Sequence, residues 1–257
     1  MRTIAIVNQK GGVGKTTIAI NLSASLAREG RRVLLVDMDP QGHSSLSFLQ
    51  SGNERRTIYS VFRQECEIRD AIFPVKEEGI DLLPADIDLA KIERDLISEI
   101  DGPFRLKDLL APLKQDYEFI LVDTPPALGM LTINCLVAAE HLVVPIQSSY
   151  LSLEGTDDLL DTVDKVRVRF NPELSLLGAL ITIHDRRTVL GKDAVKRVRQ
   201  IFGETAFSTI ISKSVRLEES PAYRISIFRH APDSVSAQEY LQLSEEVIER
   251  VNASRPS

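Results

Sequence analysis

The chain has 257 residues, 43% hydrophobic and 26% charged, enough to bury one large core. A formal net charge of -6 and a pI near 5.4 argue against a generally cationic nucleic-acid binder. Cys66 and Cys135 are isolated, and His43, His141, His184 and His230 lack ligand spacing, so a zinc set or a paired-cysteine iron–sulfur site is not supported.

Residues 3–8 read as a short apolar strand running into Lys10-Gly11-Gly12-Val13-Gly14-Lys15-Thr16-Thr17, and Thr16 to Arg28 reads as a helix ended by Gly30. Strand, glycine-rich loop and helix together are the context of a phosphate-binding loop. The common pattern G-x-x-x-x-G-K-[ST] needs glycine at position 9, where this chain has Gln9, so the loop is a variant with a second lysine. Gly11, Gly12 and Gly14 let successive N–H groups turn onto phosphate oxygens, and the helix start adds roughly half a positive charge. Lys15 brings a full charge to the β and γ phosphates, and the Thr16 hydroxyl is the expected Mg²⁺ ligand. Lys10 is either a solvated charge at the lip of the loop or a reach to a phosphate on a facing subunit.

A second strand, 33–37, ends in Asp37, with Asp39 two residues on. At that spacing one carboxylate faces a metal while the other, at the start of a loop, orients an attacking water; capping the next helix is the alternative use. Strands at 80–83 and 119–123 follow, the latter placing Asp123 after Phe119-Ile120-Leu121-Val122, a hydrophobic strand plus an aspartate near Mg²⁺. Pro125 and Pro126 stiffen the next segment, and Gly42 and Gly129 suit either hinges or tight turns. Further strands at 142–146, 176–183, 206–211 and 225–228 alternate with helices. The prediction is an α/β fold, a doubly wound, mostly parallel sheet with helices on both faces and its ligand beyond the carboxyl ends of the strands. The apolar runs are too short to cross a bilayer and Met1-Arg2 leads into a strand, so a cytoplasmic location is expected.

From Arg186 to Arg199, six basic residues (Arg186, Arg187, Lys192, Lys196, Arg197 and Arg199) face one acid, Asp193. On a helix from Lys192, Val195, Val198 and Phe202 would face the core and Lys192, Lys196 and Arg199 the opposite side. Arg216, Arg224 and Arg229 follow; the bland reading of all these charges is a solvated surface. Ser236 and Glu239 read as a capping box for a last helix carrying Leu241, Ser244, Val247, Ile248 and Val251 on one face. Residues 1–252 are expected to form a single domain and 253–257 a short polar tail.

Lys10 to Thr17, Val36-Asp37-Met38-Asp39-Pro40-Gln41-Gly42 and Val122-Asp123-Thr124-Pro125-Pro126 resemble the deviant Walker A ATPases of the ParA/Soj/MinD superfamily, most of all the ParA/Soj partition proteins. The likeness extends through Leu131-Thr132-Ile133-Asn134, Leu153-Glu154-Gly155, Asp185-Arg186-Arg187-Thr188 and Val215-Arg216-Leu217. It implies a P-loop NTPase that hydrolyses ATP slowly with Mg²⁺, as a homodimer enclosing two nucleotides, with Lys10, Lys15 and Asp39 as catalytic residues. Lys10, Gly11, Gly12, Val13, Gly14, Lys15, Thr16, Thr17, Asp123, Ser212 and Ser214 would surround the nucleotide, and Thr16, Asp39 and Asp123 the metal. Arg187 and Arg216 match DNA-binding arginines, with Lys192, Lys196, Arg199 and Arg224 as weaker contributors to non-specific, nucleoid-associated binding of double-stranded DNA. A ParB-type protein would stimulate hydrolysis.

The chain departs from that family with Ser212-Lys213-Ser214 in place of Pro-Arg-Asn, and with Arg224 in place of a glycine. A positioner of a protein cluster or organelle would use the same chemistry. A membrane switch of the MinD type fits less well, because the end Glu245-Glu246-Val247-Ile248-Glu249-Arg250 would be repelled by anionic lipid.

Overall fold

Alternation along the strands sets the architecture. In β1 (Arg2–Ile6), Ile4 and Ile6 enter one buried cluster and Ala5 the other; in β5 (Phe119–Asp123), Phe119 and Leu121 oppose Ile120 and Val122 in the same way. A sheet that is apolar on both faces needs helices on both. The structure, a computed structural model, describes residues 1–50, 56–149 and 155–254. Leu153 and Glu154 of the Leu153-Glu154-Gly155 motif, and residues 255–257 of the expected tail, lie outside the described residues.

The remaining strands are β2 (Val33–Asp37), β3 (Phe73–Val75), β4 (Ile80–Leu83), β6 (His141–Gln147), β7 (Ser175–His184) and β8 (Ala206–Ser212). Their order across the sheet is β3-β4-β2-β5-β1-β6-β7-β8, with every pairing parallel except β3 with β4. From β1 the chain builds one half of the sheet and then crosses to β6 to build the other, so the carboxyl end of β1 lies at the switch point where such sheets bind ligands.

On one face lie α1 (Lys15–Arg28), α9 (Val215–Glu219), α10 (Ile227–His230) and α11 (Val235–Ala253). The other face carries α3 (Ile58–Phe62), α4 (Leu89–Ser98), α5 (Arg105–Leu110), α6 (Met130–Ala138), α7 (Thr156–Arg169) and α8 (Val189–Phe202). A short helix, α2 (His43–Leu46), follows β2. No helix among the described residues is long and apolar enough to cross a membrane.

The sequence reading needs correction at two expected features and one missed strand. Residues 225–228 do not form a strand: the carboxylate of Glu78 accepts from both Ser226 N and Ser226 Oγ, and Asn21 Oδ1 accepts from Ile227 N, which satisfies the start of α10 instead. Conversely, β3 escapes the sequence reading because it is three residues long with Pro74 in the middle, tolerable only at a sheet edge. The cap of α11 is Ser234, whose side chain accepts from Ala237 N, not Ser236.

Glu239, read as the far half of a capping box, lies along the edge of β8 with Glu246, seven residues on and on the same side of α11. Glu246 accepts from Ser208 N at 2.8 Å and Thr209 N at 3.0 Å, while Glu239 accepts from Ser212 N at 2.8 Å. These two carboxylates occupy N–H groups that an edge strand would otherwise offer to another chain.

Candidate functional site

The loop after β1 is held from beneath by side chains. Asn8 Nδ2 donates to Pro145 O at 2.7 Å and Gln9 Nε2 donates to Gly155 O at 2.6 Å, while Asn8 Oδ1 accepts from Lys10 N at 2.9 Å. Gly12 and Gly14 have φ of 73° and 92°, a region in which an L side chain is strained. The Val13 side chain is buried and its carbonyl accepts from Thr182 Oγ1, so Val13 anchors the loop through the core. No side chain caps α1, which leaves its first N–H groups available to an anion.

A cavity of about 530 Å³ runs from this loop to the end of β8. Gly11, Gly12, Gly14, Lys15, Thr16 and Thr17 line it at the loop, Asp39, Gln41, His43 and Pro126 along one wall, and Ile211, Ser212, Ser214, Leu217 and Tyr240 at β8 and beyond. Ile183, also in the lining, has φ of 51°, a strained position for a β-branched residue. The structure thus brings together most of the expected nucleotide residues. Lys10 is half-buried beside the cavity rather than in its lining, and its carbonyl accepts from Lys15 Nζ at 3.0 Å. Burial pushes the Lys15 amine below its usual pKa against the opposing pull of Asp123 and Asp39.

The carboxylates occupy two depths. Asp37 and Asp123 are register neighbours in adjacent strands and both fully buried. Burial raises both above the usual carboxylate range, and their mutual repulsion adds to the rise at Asp37. Helix α2 answers them: Ser45 donates to Asp37 Oδ2 through N and Oγ, and Ser44 Oγ donates to Asp123 Oδ2 at 2.7 Å. Asp39 lies nearer the opening, in the cavity wall. Its Oδ1 accepts from Gln41 N at 3.0 Å within a turn, whereas the N-cap of α2 is Gly42 with no side-chain cap, so the aspartate faces the cavity without serving as the helix cap. Gly42, at φ 63°, closes that turn; Gly129 is extended, with φ of -86° and ψ of -170°.

Asp123 Oδ1 is buried without a hydrogen-bond partner at ordinary geometry among the described residues, although the nearby Thr16 hydroxyl helps lower its pKa. A buried carboxylate oxygen without a hydrogen-bond partner, in a group near the Thr16 hydroxyl, suits a cation with oxygen ligands. Among the described residues no three His, Cys, Asp or Glu side chains gather as a metal cluster. A cation here would therefore rest on Thr16, the Asp123 and Asp39 carboxylates, water and the oxygens of a bound phosphate.

The basic residues divide between places. Arg187, in the loop before α8, is exposed, and its Nε and Nη2 donate to the Asp185 carboxylate, both at 3.0 Å. That pairing holds the Asp185 carboxyl down at about 2. Arg216 Nη1 donates to Glu219 Oε2 at 3.2 Å. Lys192, Lys196 and Arg199 are exposed on α8 as expected, but Val195 is only half-buried; Ala194 joins Val198 and Phe202 on the inner face. Val198 and Phe202 pack in one core and Leu217 of α9 in the other, so the α8 stripe and Arg216 belong to helices on opposite faces of the sheet. Arg224 has φ of 58°, the left-handed conformation that glycine adopts without strain.

The sequence reading misses Ser44, Ser45, Glu239 and Tyr240. The serine pair follows the Asp-x-Asp motif without a spacing rule to flag it, and Glu239 is locally explained as a cap.

A family model described as an AAA domain matches residues 1–176. The Chromosome-partitioning ATPase Soj of Thermus thermophilus is 44% identical over 251 residues, covering 98% of this chain and 97% of that one. The Chromosome partitioning protein ParA of Caulobacter vibrioides is 39% identical over 253 residues, covering 97% and 95%. Among solved structures, the cobyrinic acid a,c-diamide synthase from Mycobacterium smegmatis with bound ADP and magnesium is 33% identical, with a TM-score of 0.87 over 99% of this chain and 97% of that one. With the variant phosphate loop, the stacked carboxylates and full-length relatives all in agreement, the chain belongs to the Soj/ParA family of chromosome-partitioning ATPases.

Proposed function

We propose that the chain is an ATP-driven partition ATPase of the cytoplasm whose ATP-bound dimer holds DNA without regard to sequence and lets go after hydrolysis. The observation that carries this reading is the convergence of Lys15, Thr16 and Asp39 on one elongated cavity that opens at the uncapped start of α1. Thr16, Asp39 and Asp123 would hold Mg²⁺, which when bound neutralises developing charge on the phosphates.

The protein's own residues do the rest. The loop amides and α1 bind the β and γ phosphates, Lys15 exchanges its bond to the Lys10 carbonyl for phosphate oxygens, and Asp39 orients water for attack on the γ-phosphorus. Lys10 reaches the nucleotide of the facing subunit, so closure of the dimer depends on ATP. Arg187 and Arg216, with Lys192, Lys196, Arg199 and Arg224 in support, bind backbone phosphates. A chain of net charge -6 is repelled by DNA at long range, and doubling the number of phosphate contacts by dimerisation overcomes this. A ParB-type protein stimulates hydrolysis and release.

The test is steady-state ATP hydrolysis with Mg²⁺ in the presence of neither, either or both of duplex DNA and a ParB-type protein. Turnover should be slow alone and fastest with both. Asp39→Ala should bind ATP and stay on DNA as a dimer, with hydrolysis reduced about 10²-fold or more. ATP hydrolysis without any ATP-dependent DNA binding would give precedence to a non-DNA cargo, and absence of hydrolysis under every condition would end the ATPase reading.

A further inference from the structure

The phosphate loop fixes which part of a nucleotide lies at each end of the cavity. With the phosphates at Gly11 to Thr17, the base falls at the far end, against Ile211, Ser212, Ser214, Leu217 and Tyr240. Tyr240 is fully buried and Ile211 and Leu217 nearly so, so this end is mostly apolar with a few polar groups, and those groups decide which base fits.

Ser212 has two hydrogen-bond donors, and both go to one carboxylate. Ser212 N donates to Glu239 Oε2 at 2.8 Å and Ser212 Oγ donates to Glu239 Oε1 at 2.6 Å. Glu239 is 4% exposed, and Arg186 Nη2 donates to its Oε1 at 3.1 Å, so its charge has a partner. A carboxylate only accepts, so the Ser212 hydroxyl hydrogen has one place to go. What Ser212 can show a ligand in the cavity is therefore a lone pair.

We propose that Glu239 sets the polarity of Ser212, and that Ser212 is thereby a base-specificity residue, an acceptor matched to the exocyclic 6-amino group of adenine and opposed to a 6-oxo group. The inference rests on the ATPase reading and supplies the residue that makes it adenine-selective. It also gives the departure from Pro-Arg-Asn a chemical role, since a proline at 212 would offer neither donor to Glu239.

The experiment is equilibrium binding of ATP and of ITP, which carries a 6-oxo group and no 2-amino group, with Mg²⁺ present. It compares wild type, Ser212→Ala, Ser212→Thr and Glu239→Gln, each checked for its thermal transition. Wild type should prefer ATP by about tenfold or more, the range of a matched hydrogen bond set against an acceptor–acceptor clash. Ser212→Ala should reduce that ratio to about threefold or less, mainly by improving ITP, while Ser212→Thr retains it. Glu239→Gln brings an amide that can donate to Ser212 Oγ, freeing the hydroxyl to donate to a 6-oxo group, so the ratio should fall as far or further. Should Glu239→Gln not fold, the two Ser212 variants decide. An unchanged ratio in Ser212→Ala, or no preference in wild type that still hydrolyses ATP, overturns the polarity assignment and leaves the ATPase reading intact. A wild type that binds neither nucleotide overturns both.

Discussion

The two ends of the cavity are built on opposite plans. At the phosphate end the working groups are largely main chain: loop amides shaped by Gly12 and Gly14, and the uncapped N–H groups of α1. At the base end they are side chains brought together from distant segments, such as Ser212 and Glu239, 27 positions apart. A main-chain site needs a local conformation, so its signature is contiguous and readable. A side-chain site needs a tertiary contact, and its residues look ordinary in the sequence until the fold joins them.

Lys15→Ala tests this contrast hardest, because it removes the lysine charge that lines the cavity at the phosphate end. Hydrolysis should fall about 10²–10³-fold, with the thermal transition retained, since the Lys15 amine bonds a loop carbonyl rather than a core group among the described residues. Near-normal turnover in that variant would mean that the main chain suffices.

Lys10→Ala separates the subunits' shares of the same end. ATP affinity should stay within about threefold while the ATP-dependent dimer disappears on gel filtration, the change expected when a charge-assisted bond across an interface is removed. A normal dimer would rule out the sandwiched-nucleotide reading for this chain.

Arg187→Ala and Arg216→Ala examine the surface beyond the base end. Each should weaken binding to every duplex sequence alike and lower the log–log salt slope by about 0.9 for each phosphate left unneutralised, with ATP-driven dimerisation preserved. Both arginines are exposed and must give up a half-buried carboxylate, Asp185 or Glu219, and surface pairs of this kind hold them only weakly. Salt titrations of fluorescent duplex binding would show it; slopes equal to wild type would place the DNA elsewhere.

The smallest effect is expected at Arg224. Its left-handed backbone costs roughly 1–2 kcal/mol for a non-glycine residue, and glycine returns part of that gain as chain entropy. Arg224→Gly should therefore stabilise by a net of about 0.5–1 kcal/mol, raising Tm by roughly 1–4 °C. If DNA affinity falls in the same variant, the strain is tolerated for the charge that Arg224 brings.

Much of the fold was legible because apolar period-two strands separated by amphipathic helices have few ways to bury both faces. Seven of the eight strands among the described residues were expected near their observed positions, and the eighth, Phe73–Val75, is too short and proline-broken to announce itself. The false strand at 225–228 had the right apolar spacing, but Glu78 and Asn21, far away in sequence, offered its N–H groups helix-capping partners. Glu239 failed for a related reason: its spacing from Ser236 satisfied a local rule, while the edge of β8 held N–H groups that needed a carboxylate more.

By itself, then, the sequence determined the sheet with its two helical faces, the phosphate loop and the aspartates after β2 and β5, because each depends on neighbours within a few residues. Only the tertiary structure decided that Asp37 and Asp123 lie side by side beneath Asp39, that Ser44 and Ser45 answer them, and that Glu239 spans Ser212 and Arg186. Those arrangements depend on strand order and on where α2 and α11 dock. Local periodicity places a residue on a face, whereas burial of charge and the satisfaction of edge N–H groups choose its partner.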